Sequence, residues 1–202
     1  MYKRQGLKDR QTESYPAQLR AMLAQRDPGK WDVQNFGVSG TTLLKKGDRP
    51  YWDQKRFAAA KAFDPNIVVI KLGTNDSKPQ NWKFKESFHD DLIALIGEFR
   101  ALPSKPTVYL CRPVPAFPGG YGIRDEVIHD EILPIIDAVA KEQKAPVIDL
   151  YGALSGKPEH FPDTIHPNAE GARLLAAEVF KTLTTAAKPV PSTAAATAQP
   201  AH

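Results

Sequence analysis

One cysteine, Cys111, stands alone in 202 residues, which excludes an internal disulfide framework and a cysteine-built zinc site. No run of about 18 apolar residues occurs, so no segment reads as a membrane-spanning helix. There is no His-Glu-x-x-His or comparable metal constellation, and no glycine-rich loop leading into Lys-Ser or Lys-Thr. No metal, nucleotide or other cofactor is therefore expected. An arginine-rich stripe is also lacking. The formal net charge of +4 is scattered, and basic pairs such as Lys45-Lys46 and Lys55-Arg56 stand near acids, so no nucleic-acid partner is expected. Behind the first basic residues there is no apolar stretch of the signal-peptide kind. Cys111 itself closes the apolar run 107–111 and reads as a buried, inert thiol.

What is present is the balance of an ordinary water-soluble chain, 42% hydrophobic and 25% charged. Apolar runs alternate with helical patterns. Residues 14–26 form an amphipathic helix pattern with Pro16 in its first turn, stopped by Asp27-Pro28-Gly29. Residues 31–38 read as a short strand, 53–63 as a helix, and 67–72 as the strongest strand, apolar and β-branched as strands covered on both faces are. A helix over 86–101 is expected to bury Phe88, Leu92, Leu95, Ile96 and Phe99. Then follow a strand at 107–111, a Pro- and Gly-rich loop at 112–122, a helix at 124–144 that Pro134 is expected to kink, a strand at 146–150 and a last helix at 168–183. Strands separated by single helices pair in parallel. The expected fold is a three-layer α/β/α sandwich with a parallel sheet, and in such sheets the site lies beyond the C-terminal strand ends.

Three loops fall at that rim: Gly37-Val38-Ser39-Gly40, Gly73-Thr74-Asn75-Asp76 and Asp163-Thr164-Ile165-His166. Read alone, Asn75 serves equally as a turn-former after a strand, and His166, just before Pro167, could merely flank a helix cap with Asp163 solvated. Asp76 reads as a loop organiser. His89, His129, His160 and His202 share no motif and read as surface or loop residues, with His160 nearest the three loops. In order and after the right elements, however, residues 35–40, Gly73-Thr74-Asn75-Asp76 and Asp163-Thr164-Ile165-His166-Pro167 resemble the glycine, asparagine and acid–base blocks of the SGNH (GDSL-like) hydrolase family, over residues 7–184. The run from Lys71 to Trp82 is similar to that of the acetylesterase-like branch. The resemblance implies a flavodoxin-like fold and a serine esterase that needs no cofactor. It assigns the backbone N–H of Gly40 and the amide of Asn75 to an oxyanion hole, His166 to general base and Asp163 to holding its tautomer. The physics suits these roles. Preplaced donors stabilise a tetrahedral oxyanion by about 3–4 kcal/mol each, and a carboxylate fixes the imidazole that moves the serine proton.

The family's opening strand and its Gly-Asp-Ser nucleophile block have no counterpart here. Residues 6–10 resemble the stretch just downstream of it, and Ser14 and Ser39 lack the required context, so no catalytic serine is named. Met1-Tyr2-Lys3-Arg4-Gln5 is what GTG-TAT-AAG-AGA-CAG encodes, a string that resembles a sequencing adapter. The expected organisation is a non-native junction at 1–5, a hydrolase domain at 6–185 without its first strand, and a disordered Ala/Thr/Pro tail at 186–202. That first strand belongs between the second and third strands, and its absence predicts exposed strand edges on both sides of a gap and poor solubility. The resemblance points to a small-molecule or carbohydrate ester, O-acetyl groups first, as substrate. The alternatives are a lysophospholipase or thioesterase of the same family, a non-catalytic carbohydrate-binding relative, and a flavodoxin-like binding module. Such relatives in bacteria are often exported, compatible with a periplasmic or secreted parent. No oligomeric state follows.

Overall fold

A computed structural model describes Leu7 and residues 9–186. The expected junction at 1–5 and nearly all of the expected tail lie outside those residues. The helices are α1 (Arg10–Glu13), α2 (Tyr15–Arg26), α3 (Lys55–Ala62), α4 (Pro79–Trp82), α5 (Phe88–Arg100), α6 (Asp125–Val127), α7 (Leu133–Glu142), α8 (Leu150–Leu154) and α9 (Ala169–Ala186). The strands are β1 (Ile67–Ile70), β2 (Thr107–Arg112) and β3 (Val147–Asp149). They form a parallel sheet in the order β1-β2-β3, with Val68 opposite Val108 and Leu110 opposite Val147. Among the described residues, no helix is long and apolar enough to cross a membrane.

The strands' two-residue period sorts side chains between two cores. Val68, Ile70, Val108, Leu110 and Val147 face α3, α5 and α7, where Phe88, Leu92, Leu95, Ile96 and Phe99 of α5 are buried as the helical spacing predicts. Ile67, Val69, Tyr109, Cys111 and Ile148 face α2, α8 and α9, against Leu19, Leu23, Leu175 and Val179. The sheet is thus the middle of three layers. Cys111 is buried, and burial pushes its thiol up to about 12, so it stays protonated.

One expectation is refined and one needs correction. The helix at 124–144 runs as α6 and α7 with a π-helical turn at Ile128–Ile132 between them. Pro134 has no N–H to donate, and the widened turn ahead of it absorbs the lost bond. Residues 31–38 form no strand. Their carbonyls are held by side chains: Val33 accepts from Arg20, Phe36 from Tyr51 and Asn35 from Arg56. Between this segment and β1 lies a slot of about 820 Å³ instead of a neighbouring strand. The edge of β1 is therefore open. Ile67, Val68 and Val69 are only partly buried, whereas Val108 through Cys111 of β2 are all buried.

Register partners Val68 and Val108 test this difference. Val108→Ala removes fully buried methyls and is expected to cost about 2 kcal/mol, whereas Val68→Ala should cost less than half of that. Urea unfolding measures both, and equal losses would mean that β1 is not an open edge.

Candidate active site

Each of the three loops is shaped by a specific backbone requirement. Gly40 lies at φ 82 and Gly73 at φ 118, in the left-handed region that side chains resist. At Gly73 a Cβ would also come within 3.1 Å of Ile132. Thr164, between Asp163 and His166, holds φ 68, which is strained for a β-branched residue. The strain is held in place by packing, because a Cβ on Gly120 would lie 2.5 Å from both Thr164 and Ile165. Loop 112–122 therefore closes directly onto the Asp163–His166 turn, and Phe117 N–H donates to the Thr164 carbonyl.

Asp163 is nearly buried and holds His166 at two points. Its Oδ2 lies 2.9 Å from Nδ1 of the ring, and its Oδ1 accepts from the His166 N–H at 2.7 Å and the Ile165 N–H at 3.2 Å. Burial works against the charge on Asp163. The hydrogen bonds from the His166 amide, the His166 ring and the Ile165 amide outweigh it and keep the carboxyl below its ordinary range. An ionised Asp163 fixes the proton on Nδ1 and leaves Nε2 as the free base. Among the described residues, nothing hydrogen-bonds Nε2. The ring is 46% exposed, with the Tyr121 ring edge-on at 6.0 Å.

The glycine and asparagine loops are bound together by buried polar contacts. Asn75 Nδ2 donates to the Thr41 carbonyl at 3.2 Å, next to Gly40. Asp76 is fully buried and accepts from the Leu43 and Leu44 N–H groups at 3.0 and 2.8 Å. Asn81, also fully buried, donates to the Asn75 carbonyl and to Asp48, and accepts from the Asp48 N–H. Asp91 accepts from the Lys45 N–H. Of these ties the sequence pointed only to Asp76. Asn81 and Asp91 sit at the start of helical segments, where a polar residue ordinarily reads as a solvated position.

The slot joins the three loops. Its lining includes Ser39, Leu72 and Pro167, which adjoin Gly40, Gly73 and His166 respectively. The three loops thus each adjoin the slot through Ser39, Leu72 and Pro167, not through Gly40, Asn75, Asp163 or His166 themselves. Ser14 precedes α2 without a side-chain capping bond, and the Ser39 carbonyl accepts from Arg49. Neither serine hydrogen-bonds His166. His160 lies outside the pair, 3.7 Å from Glu159. His89 and His129 bond surface carboxylates, and His202 lies outside the described residues.

The sequence profile of the GDSL-like lipase/acylhydrolase family matches residues 4–174. The chain belongs to that family. An acetylxylan esterase of Xylanibacter ruminicola is 42% identical over 189 residues, covering 85% of this chain. The chain spans only 38% of that relative's length. Among solved structures, a carbohydrate acetylesterase from Sinorhizobium meliloti superposes with a TM-score of 0.68 at 18% identity, covering 86% of each chain. An acetyl xylan esterase superposes at 0.66 and 18% identity, covering 85% of this chain and 91% of that one. At such identities the two structures establish a shared fold.

Burial pushes the Asp76 carboxyl up to about 6 against the opposing pull of the Leu44 and Leu43 N–H groups. A carboxyl whose folded value lies above its unfolded one stabilises the fold below the unfolded value, and that stabilisation is lost as pH rises through the folded value. Asp76→Asn does not titrate and cannot accept from both amides, which leaves one buried N–H unpaired at a cost of about 1–3 kcal/mol. Wild type should exceed Asp76→Asn in stability near about pH 4, and the gap should narrow towards about pH 7. Urea unfolding at both pH values measures this, and a gap that widens with pH would contradict it.

Proposed function

We propose that this chain carries the oxyanion and acid–base groups of a carboxylic ester hydrolase that removes O-acetyl groups from carbohydrate substrates through an acyl-serine intermediate. The observation that carries the reading is the Asp163–His166 pair at 2.9 Å, and it is supported by residues of or next to all three loops lining one slot. A serine Oγ would attack the acetyl carbonyl carbon while its proton passes to Nε2 of His166. The carbonyl oxygen becomes an oxyanion held by the Gly40 N–H and the Asn75 amide. Collapse expels the sugar oxygen, which takes the proton from Nε2. Water then repeats the sequence on the acyl-serine and releases acetate. Asp163 stays ionised and supports the imidazolium formed in each half. No described serine bonds Nε2, and the present chain is expected to give only trace hydrolysis.

Acetyl over longer acyl groups is supported by the name of the acetylxylan esterase relative. A carbohydrate alcohol is further supported by Tyr121, an aromatic ring 60% exposed beside His166. An amphipathic ring of this kind offers an apolar face and a hydroxyl to a sugar.

The test is to extend the chain upstream with a strand ending in Gly-Asp-Ser and assay short p-nitrophenyl esters and acetylated xylo-oligosaccharides. His166→Ala should lower turnover about 10²–10⁴-fold, and Asn75→Ala about 10²–10³-fold. Activity indifferent to both changes would reject these roles. Tyr121→Ala should raise KM for the acetylated oligosaccharide several-fold while leaving p-nitrophenyl acetate nearly unchanged. Equal effects on the two substrates would remove the sugar-binding role, and a rate rising with acyl length would favour a lysophospholipase or thioesterase.

A further inference from the structure

We propose that Arg49 is a positioning residue for the oxyanion hole: its guanidinium holds the Ser39–Gly40 peptide in the orientation that presents the Gly40 N–H, and strengthens that N–H as a donor. The catalytic part of this role rests on the esterase reading, whereas the hold on the peptide does not.

Arg49 Nη1 donates to the Ser39 carbonyl at 3.0 Å, and it lies 3.4 Å from where a Cβ on Gly40 would stand. The Ser39 C=O and the Gly40 N–H belong to one planar trans peptide, so they point in opposite directions. A donor that fixes the carbonyl therefore also fixes the N–H. The turn around this peptide is what makes such a hold necessary. Val38 to Thr41 reverse the chain with Gly40 at φ 82 in third place, the value of a type II turn. A type I turn joins the same ends and differs in the central peptide, which is rotated through about half a turn. Glycine accepts either form. In the type I form the Gly40 N–H would face away and the Ser39 carbonyl would take its place. No described residue accepts from the Gly40 N–H, so the choice between the two forms falls to the carbonyl side, where Arg49 stands.

The backbone of Arg49 is itself bound to the glycine loop. Thr42 N–H donates to the Arg49 carbonyl at 2.9 Å, and Tyr51 N–H donates to the Thr42 carbonyl at 2.9 Å. Loop and turn approach so closely that a Cβ on Gly47 would fall 2.3 Å from Thr42 Oγ1. Asp48, the preceding residue, is gripped by Asn81, whose side chain also donates to the Asn75 carbonyl. The root of the Arg49 side chain is thus tied to both oxyanion loops, and only its own rotamers are left to order. Among the described residues the Ser39 carbonyl is the only side-chain partner of Arg49. Its charge therefore meets no carboxylate. A cationic donor on a carbonyl polarises the peptide and makes its N–H a stronger donor in turn. Such a device acts on an oxyanion far more than on a neutral ester, because charge on the acyl oxygen develops only in the transition state.

Two measurements test the hold and its consequence. The one-bond N–H dipolar coupling of Gly40, in a weakly aligned ¹⁵N-labelled sample of the chain or its upstream-extended form, reads the orientation of that N–H. Arg49→Ala should shrink this coupling as the peptide samples both turns, leave those of Gly47 and Gly73 unchanged, and regain it in guanidinium chloride below denaturing concentration. In the upstream-extended protein, Arg49→Ala should lower kcat about tenfold, less than loss of a whole donor, for p-nitrophenyl acetate and acetylated xylo-oligosaccharides alike. KM should change less than about twofold, and Tm by less than about 2 °C. Guanidinium should restore part of the lost kcat in Arg49→Ala and none in wild type, and Arg49→Lys should fall between the two. An unchanged Gly40 coupling would overturn the proposal. So would a loss carried by KM or confined to the oligosaccharide, which would make Arg49 a sugar contact. A fall in kcat that follows Tm and that guanidinium does not relieve would reduce Arg49 to a structural residue and overturn it too. Unchanged kcat in Arg49→Ala, with His166→Ala and Asn75→Ala inactive, would overturn the proposal and leave the esterase reading intact. A shrunken coupling in a protein whose activity ignores His166 and Asn75 would reject the esterase reading and uphold the hold on the peptide.

Discussion

Parallel pairing is the constraint on which the rest depends. Once β1, β2 and β3 run the same way, every loop that leaves a strand's C-terminal end emerges at one rim, and every return must pass along a helix on one face or the other. Gly73-Thr74-Asn75 leaves β1 and the Pro-Gly loop leaves β2. The turn before α9 is pressed against that loop through Gly120 and Thr164. Residues some forty-five apart in the chain, Gly120 and Thr164 to Ile165, thereby meet without any element being built solely to bring them together.

At that rim, precision comes from buried polar atoms that have no alternative partner. The Leu43 and Leu44 N–H groups donate to Asp76, and Asn81 bridges Asp48 to the Asn75 carbonyl. Such contacts are costly to break because water cannot replace them. They tie the glycine loop to the asparagine loop as one unit, while Asp163 fixes the imidazole from the other side. The open edge of β1 lines the slot that these loops adjoin. The same cavity that leaves Val68 and Val69 only partly buried is lined by residues of or next to the three loops.

Much of this was legible in the sequence because period and position report on burial. The β-branched run 67–72 announced a strand covered on both faces, and the helical spacing of Phe88, Leu92, Leu95, Ile96 and Phe99 announced the face of α5. The asparagine loop was legible as a polar turn after the apolar strand run, whereas the glycine and acid–base blocks were read from a family resemblance. Three features were not. Residues 31–38 carry strand-like residues, but a strand needs a neighbour to pair with, and pairing is not a property of the segment. The π turn ahead of Pro134 is a choice between two ways of losing one hydrogen bond. The left-handed Thr164 packs against Gly120 of loop 112–122 and accepts from Phe117, a tertiary setting that no local pattern records.

The convergence of the loops on one acyl carbon is best tested by a crystal structure of the upstream-extended protein with its serine trapped by a methylphosphonate. The phosphonyl oxygen should lie about 2.7–3.1 Å from both Gly40 N and Asn75 Nδ2, with the serine Oγ about 2.6–3.2 Å from His166 Nε2. An oxygen pointing to solvent or to other donors, with His166 turned away from the serine, would contradict it.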